Sequence, residues 1–424
     1  MKTRGIGIIG HGTVGSGVLQ ILEERREALT RSAGPYAVVG VAVRDPSRPR
    51  EGVAPELLTT PEALLADPRL DVLVEVAGGV DEAWGWVRTA LSAGKSVVTA
   101  NKALLAERAE ELAALLSAPG TVGGLYGEAS VAGGIPILQL IDRGLLANRV
   151  VRLEGILNGT CNFLLTLMER EGVGMDEALA RAQALGFAEA DPTLDVDGGD
   201  TAHKLAVLAG LALGRPVRHD EVFTQGIRAV TAFDVAWARD HGYRIKLLAL
   251  AQLGGGDVEL RVHPTLVRTK RLISQVSDEF NAVAVEGDLT GPQLYYGRGA
   301  GQLPTASAVV SDLVHALRGE APLRGRDGLH ASARIKPMGE IVGRHYLHLE
   351  VIDRPGVVEG VARALARADI SIASLYQPET APGSQVPLVF TTHAAADAQV
   401  HRALEELRDA PFLVTAPVHI RLED

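Results

Sequence analysis

The stretch GIGIIGHGTVGSGVLQIL near the amino terminus constrains the fold more than any other segment. A short β-branched run meets Gly10, Gly12 and Gly15, spaced G-x-G-x-x-G, and passes at once into an apolar-periodic helix. In that setting each glycine has a steric task. Gly10 permits the tight turn, Gly12 lets backbone approach a pyrophosphate, and Gly15 lets the helix lie close on the strand. The helix N-terminus then offers unpaired N–H groups and the positive end of its dipole to phosphates. VVGVAV, DVLVEVAG, SVVTAN and VGGLYGEA follow, with Ala/Leu/Glu-rich helical stretches between them. Such alternation predicts an α/β, Rossmann-like domain, a parallel sheet wrapped by helices, over residues 1–130.

The rhythm fades after Glu128. SVAGGIPILQLIDRGLL reads as a glycine-rich loop entering a helix and RVVRLEGIL as a strand, after which helices dominate through Gly214. YRIKLLALAQLGG and DVELRVHPTLV are strand-like, so residues 131–300 are expected to form an α+β domain with its own sheet. Residues 301–322 are expected to pack back on the first domain. From Arg344 the patterns run strand, helix, strand, strand, helix, strand, which predicts a ferredoxin-like module over 344–424. The intervening APLRGRDGLHASARIKPMGE is rich in Gly, Pro and charge, and residues 323–343 read as a linker.

A length of 424 residues suits two or three domains. The formal net charge of -10 argues against nucleic acid or an anionic membrane as the main partner. A single cysteine, Cys161, excludes an internal disulfide and a thiolate zinc cluster, which fits a reducing cytoplasm. The apolar run LAVLAGLALG is about half of the roughly 20 residues that cross a bilayer, so a buried core helix is expected. The reading is a soluble cytoplasmic protein.

The second strand ends at Arg44, followed by Asp45. An arginine at that corner suits the 2′-phosphate of NADP, with Arg48 or Arg50 in support, whereas Asp45 leaves room for NAD. In DVDGGDTAHKLAVLAGLALG, Asp200 and Lys204 are spaced i, i+4 and share a helix face. A routine ion pair at a solvated helix end is the bland interpretation. The apolar surroundings instead predict that Lys204 is partly out of water, where desolvation makes an amine less basic. Glu189, Asp191, Asp195 and Asp197 precede it in a loop whose spacing fails the EF-hand pattern, so the acids are expected to hold an ammonium-bearing substrate. Lys102, in SVVTANKALLA, follows a strand, at the end of a parallel sheet where α/β enzymes bind ligands.

The motifs GHGTVGSG, TANKALLA, GILNGTCNFLLTLM, GFAEADPTLDVDGGDTAHKLAVLA and GRGAGQLPTASAVVSDL resemble, in order, those of homoserine dehydrogenase. The likeness spans residues 1 to about 320. It implies NAD(P)-dependent interconversion of L-homoserine and L-aspartate 4-semialdehyde, a step toward threonine, methionine and isoleucine. By the match Lys204 is the proton donor and acceptor, Lys102 the second active-site lysine, and Glu189 the acid that binds the substrate amino group. Asp200 binds substrate or orients the lysine, and Asp195 and Thr160 join the substrate site. Gly10, Gly12, Thr13, Val14, Gly15, Arg44, Thr99, Lys102, Gly186 and Gly301 would touch the cofactor, NADP or NAD. The resemblance also implies a sodium ion on the carbonyls of Glu128, Val131, Gly133 and Ile135, a ligand set that suits a hard cation. A homodimer or homotetramer is implied as well.

The carboxy-terminal YLHLEVIDRPGVVEGVARALARADISIASLYQ resembles an ACT domain, above all at DRPGVV, which implies an amino-acid effector, threonine first, or else a purely structural dimerisation module. Two other interpretations are weighed. A semialdehyde dehydrogenase would use Cys161 as a thioester nucleophile, but no nearby His supports it and TCNFLLTLM reads as a buried helix. A nucleotide- and amino-acid-sensing regulator would show no turnover.

Overall fold

The computed structural model describes residues 2–119, 122–323 and 332–423, which form two compact units. Neither is continuous in sequence. The first comprises Met1–Gly159, Asp200–Val222 and Phe280–Ala333, and the second Thr160–Gly199, Phe223–Glu279 and Arg334–Asp424.

In the first unit β1 (Arg4–Ile9), β2 (Tyr36–Ala42), β3 (Leu58–Thr59), β4 (Leu70–Glu75), β5 (Ser96–Thr99) and β6 (Leu125–Tyr126) form one sheet in the order β3-β2-β1-β4-β5-β6. Every pairing is parallel. Both faces are covered, which explains why the strands are apolar without alternation. Val72 and Val74 of β4 pack with Ile6, Val18 and Leu313 on one face, and Leu73 packs with Leu91, Val97 and Leu104 on the other. Strand order reverses between β1 and β4, the switch point beside which α/β sheets bind ligands.

The helix Gln302–Arg318 packs on the first helix, Thr13–Glu24, through Ala306, Val309 and Leu313. A Cβ on Gly17 would lie 2.9 Å from Gln302 Cγ and 3.0 Å from Ala306 Cβ, so glycine permits the approach. The unit also holds the antiparallel strands Val150–Ile156, Phe280–Gly287 and Gly291–Arg298, and the helix Gly199–Leu213. The helix expected within SVAGGIPILQLIDRGLL is only one α-turn, Ile137–Gln139, running into a π-turn at Leu140–Gly144. Leu145 N–H reaches Leu140 O at 2.9 Å, five residues back, and this widened turn ends at Gly144.

In the second unit Tyr243–Gln252 and Glu259–Arg268 form an antiparallel hairpin. The carboxy-terminal strands Val342–Ile352, Ile372–Tyr376, Gln385–Thr392 and Val418–Glu423 alternate with helices Val357–Arg367 and Asp397–Leu407 as the sequence predicts. Their spatial order is fourth, first, third, second, all antiparallel, over a core that includes Leu349, Val361, Leu388, Phe390 and Val400. The outer edge of Val418–Glu423 pairs in parallel with Glu259–Arg268, so that edge is closed within the chain.

Residues 324–331 of the expected linker lie outside the described residues. Beyond them the chain is tied down, because Ile335 bridges Val258, Arg334 pairs with Asp257 and Glu340, and Lys336 lies 3.0 Å from Glu259. Charges that read as linker solvation are partners of the hairpin. Among the described residues no helix is long and apolar enough to cross a membrane.

Candidate active site

Helix Gly199–Leu213 carries the i, i+4 pair on a buried face. Asp200 is 4% exposed. Its Oδ2 accepts from Lys204 Nζ at 2.7 Å and from Asn158 Nδ2 at 2.8 Å, and its Oδ1 lies 3.2 Å from Lys102 Nζ. Lys204, with a side chain 12% exposed, also donates to the Leu157 carbonyl at 2.7 Å. Asn281 Nδ2 donates to the same carbonyl at 3.1 Å. Burial pushes the Asp200 carboxyl up, but the charges of Lys204 and Lys102 and the hydrogen bonds from Lys204 and Asn158 outweigh it. The group is held far below the usual carboxylate range. A routine pair at a solvated end does not describe this arrangement.

Lys102 opens the helix Lys102–Glu107 at the carboxyl end of β5. Asn101 caps it, accepting from Leu104 N–H at 3.1 Å, while its Nδ2 donates to Gly79 O at 2.6 Å. The Thr99 hydroxyl is fully buried and donates to Glu75 Oε2 at 2.7 Å, so only its backbone remains to meet a cofactor. Glu75 also accepts from Ala77 N–H and Gly78 N–H and thereby shapes the loop after β4. Burial raises its carboxyl pKa against these hydrogen bonds.

The glycine-rich turn behaves as its spacing demands. Gly10 has φ 103°, and a Cβ on Gly15 would stand 2.1 Å from Gly10 O. In front of Gly12 nothing lies within 4 Å. Gly12 is the N-cap of Thr13–Glu24 and makes no side-chain cap, so the first N–H groups, at Thr13 and Val14, start an uncapped terminus. A cleft of about 620 Å³ opens there, lined by His11, Thr13, Ser16, Glu51 and Gln302 among others. Gly301, with φ 118°, caps the helix that begins at Gln302, whose Nε2 donates to Ser16 Oγ at 3.1 Å.

Arg44 is exposed and carries no ion pair with a described residue. Asp45 turns into its own loop, accepting from Ser47 N–H at 3.1 Å and Ser47 Oγ at 2.5 Å and pairing with Arg48 at 3.0 Å.

Four substrate or cofactor candidates belong to the second unit. Glu189 is exposed with a carboxylate that meets no described partner, and Gly186 follows the helix Met175–Ala184 with φ 78°. Thr160 donates to Phe187 O at 2.8 Å, and Asp195 O accepts from Cys161 Sγ at 3.2 Å. Two of the four acids grouped by sequence have partners of their own. Asp191 caps Thr193 N–H at 3.1 Å, and Asp197 pairs with Arg228. Cys161 is fully buried in helix Gly159–Glu171, where a thiol packs and meets no substrate.

Glu128, Val131, Gly133 and Ile135 lie together in a buried loop of the first unit. Ala132 and Gly133 have φ 54° and 52°, and a Cβ on Gly133 would come within 2.4 Å of Gly299 O. The Glu128 side chain faces elsewhere, accepting from Leu138 N–H at 2.9 Å and Gln139 N–H at 2.8 Å. Burial pushes the Glu128 and Asp312 carboxyls up, to about 7 and about 6. The Ile135 carbonyl accepts from Ile137 N–H at 2.7 Å and the Glu128 carbonyl from Val131 N–H at 3.4 Å, each leaving a second lone pair.

Asn158, Asn281 and Glu75 were not singled out by sequence. Asn158 stood within the NGT motif, but nothing local couples it to an aspartate 42 residues away.

A parallel sheet with an uncapped, glycine-rich turn at its switch point binds a dinucleotide, and lysines joined by a buried carboxylate at the same end suit proton transfer beside hydride exchange. The class is that of nicotinamide-dependent oxidoreductases. The family model for the homoserine dehydrogenase NAD-binding domain matches residues 10–122, that for homoserine dehydrogenase residues 136–314, and that for the ACT domain residues 345–412. The chain belongs to the homoserine dehydrogenase family. It is 40% identical to the homoserine dehydrogenase of Corynebacterium glutamicum, over 99% of this chain and 95% of the relative. A crystal structure of a homoserine dehydrogenase from Thiobacillus denitrificans superposes with a TM-score of 0.92 at 42% identity, covering 100% and 99% of the two chains. A hyperthermophilic archaeal homoserine dehydrogenase in complex with NADPH gives 0.65 at 28% identity, over 76% of this chain and 100% of that one.

Proposed function

We propose that the chain reversibly oxidises L-homoserine to L-aspartate 4-semialdehyde with Lys204 moving the proton, in the biosynthesis of threonine, methionine and isoleucine. The observation that carries this reading is the buried Asp200 carboxylate, shared by Lys204 and Lys102 at 2.7 and 3.2 Å. In oxidation the neutral amine of Lys204 takes the hydroxyl proton, and in reduction its ammonium returns one to the alkoxide oxygen. Lys102 lends positive charge to that oxygen as negative charge develops. The nicotinamide supplies or accepts the hydride when bound. Glu189 holds the substrate amino group, with Asp195 and Thr160 completing the site and Asp200 orienting Lys204, so that the reacting carbon is positioned.

The cofactor reading favours NADP. Asp45, the group that would accept from an NAD ribose, is committed to Ser47 and Arg48, whereas Arg44 is open to a 2′-phosphate. Gly10, Gly12, Thr13, Val14 and Gly15 receive the pyrophosphate, and Thr99, Gly186 and Gly301 contact the cofactor through backbone. A sodium ion would be held by the carbonyls of Glu128, Val131, Gly133 and Ile135, neutral oxygens that suit a hard monovalent ion. The same reading divides the chain into a nucleotide-binding domain (1–130 with 301–322), a substrate-binding and dimerisation domain (131–300), and an ACT module (344–424) with threonine as effector in a cytoplasmic homodimer or homotetramer.

The test is homoserine-dependent reduction of NADP and NAD by the wild type, Lys204→Ala and Lys102→Ala. Lys204→Ala is expected to lose most turnover while still binding NADPH. A variant that stays near the wild-type rate overturns the assignment of the base, and loss confined to Lys102→Ala exchanges the two roles.

A further inference from the structure

The second unit contains a histidine cluster with no part in the reaction above. His345 lies on the first strand of the βαββαβ module and His419 on the last, the two strands being paired with Leu347 opposite His419. Asp397 opens the helix Asp397–Leu407, and His401 follows one turn later. His345, His419 and Asp397 are all buried, and their ligand atoms lie within 4.8 Å of one another. Among the described residues no other group of three or more His, Cys, Asp or Glu is so arranged.

We propose that His345, His419 and Asp397 form a binding site for a transition-metal dication of the zinc class, with His401 beside Asp397 on the surface side. The cluster is oriented as ligands are. His345 Nε2 lies 3.1 Å from the Ala395 carbonyl, which makes it the protonated nitrogen, so its Nδ1 accepts from His419 Nε2–H at 2.9 Å; a metal ion entering between the rings replaces that proton, His419 then carrying its own on Nδ1. A ring N–H held by a carbonyl is the usual outer support of a metal-bound imidazole. Asp397 divides its oxygens. Oδ1 accepts from Arg421 Nε at 2.8 Å and lies 2.8 Å from its Nη2, while Oδ2 lies 3.0 Å from His401 Nδ1, which is also 3.0 Å from the Asp397 carbonyl.

Arg421 is in direct contact with the cluster, and its field opposes a metal ion. It is held by three partners: Asp397 Oδ1, Gln225 Oε1 at 2.6 Å, and the Phe223 ring beneath its guanidinium. There it serves as the hydrogen-bond support of a ligating carboxylate. A metal ion binds imidazole in its neutral form. Imidazole nitrogen with one carboxylate selects zinc, cobalt or nickel over calcium or magnesium. Tetrahedral zinc would separate its donor atoms by about 3.3 Å, so the two nitrogens need part by only a few tenths of an ångström. His401, whose side chain is 58% exposed, provides the way in.

The experiment uses the full chain without a histidine tag, stripped with chelator, titrated calorimetrically with zinc chloride and assayed for metal after dialysis. Expected are about one zinc per chain, visible ligand-field bands on cobalt substitution, and a melting temperature raised by about 5 °C in saturating zinc. His419→Ala should weaken zinc binding about 100-fold or more, and the exposed His401→Ala about tenfold. Retention of less than about a tenth of an equivalent by the wild type, which needs no variant to fold, overturns the proposal. So does zinc binding that His401→Ala and His419→Ala both leave unchanged, since the ion would then sit elsewhere.

Discussion

Lys204 Nζ donates at 2.7 Å to Asp200 Oδ2, one helical turn before it, and that carboxylate has its other oxygen 3.2 Å from Lys102. The ion pair is buried, so its charges interact through little solvent and its geometry is held by Asn158 and the Leu157 carbonyl.

Replacing Lys204 by Ala should lower kcat by about 10²–10⁴-fold, the usual worth of a positioned acid and base, with the dissociation constant for NADPH within about twofold of wild type. Steady-state rates and quenching of nucleotide fluorescence check both.

Asp200→Asn should be less stable than wild type at neutral pH, with the difference closing on the acid side. Because the folded carboxyl is held below its unfolded value, its contribution is complete above about pH 4 and is lost as pH falls through the folded value. Urea denaturation between neutral and acid pH should therefore show a shallower acid limb in the variant. An identical limb in both proteins would remove Asp200 as its source.

The glycines of the turn should separate cleanly. Gly15→Ala puts a methyl group 2.1 Å from Gly10 O and should reduce folding stability by about 1–3 kcal/mol. Gly12→Ala meets nothing within 4 Å, so its melting temperature should match wild type while KM for NADPH rises, the added methyl group filling space meant for phosphate.

Arg44→Ala should raise KM for NADPH about tenfold, the worth of one charge-assisted hydrogen bond, and leave KM for NADH nearly unchanged. Asp45→Ala should leave NADH use unchanged too, since that carboxylate already serves Ser47 and Arg48.

In the second unit Asp234 accepts from Tyr346 Oη at 2.8 Å and His348 Nδ1 at 2.7 Å, all three buried. Burial lowers the His348 pKa, but Asp234 and Glu350 outweigh it and raise it above its ordinary value. Its contribution is thus complete below about pH 6.5 and lost as pH rises through the folded value. His348→Gln should flatten that decline, and Tyr346→Phe should cost about 1–3 kcal/mol by leaving a buried carboxylate short of a donor. Both are measured by chemical denaturation.

What the sequence determined by itself is local and periodic. The apolar runs of β1, β2, β4 and β5 and the positive-φ position of Gly10 are dictated by sterics within a few residues. So is the alternation that makes the carboxy-terminal module βαββαβ. Residue type likewise marked Asp200, Lys204 and Lys102 for the site. The tertiary structure alone decided how these groups are used. It brought Asn158 to Asp200 across 42 residues and Thr99 to Glu75 across 24, and turned Asp197 toward Arg228. It also closed the edge of Val418–Glu423 with a strand from Glu259–Arg268, and it tied Arg334 and Lys336 to a hairpin where their sequence reads as linker. The physical reason is common to all of them: a polar side chain carries no periodic signal for its partner, and which oxygen it meets is set only when distant backbone packs and buried donors and acceptors must be satisfied.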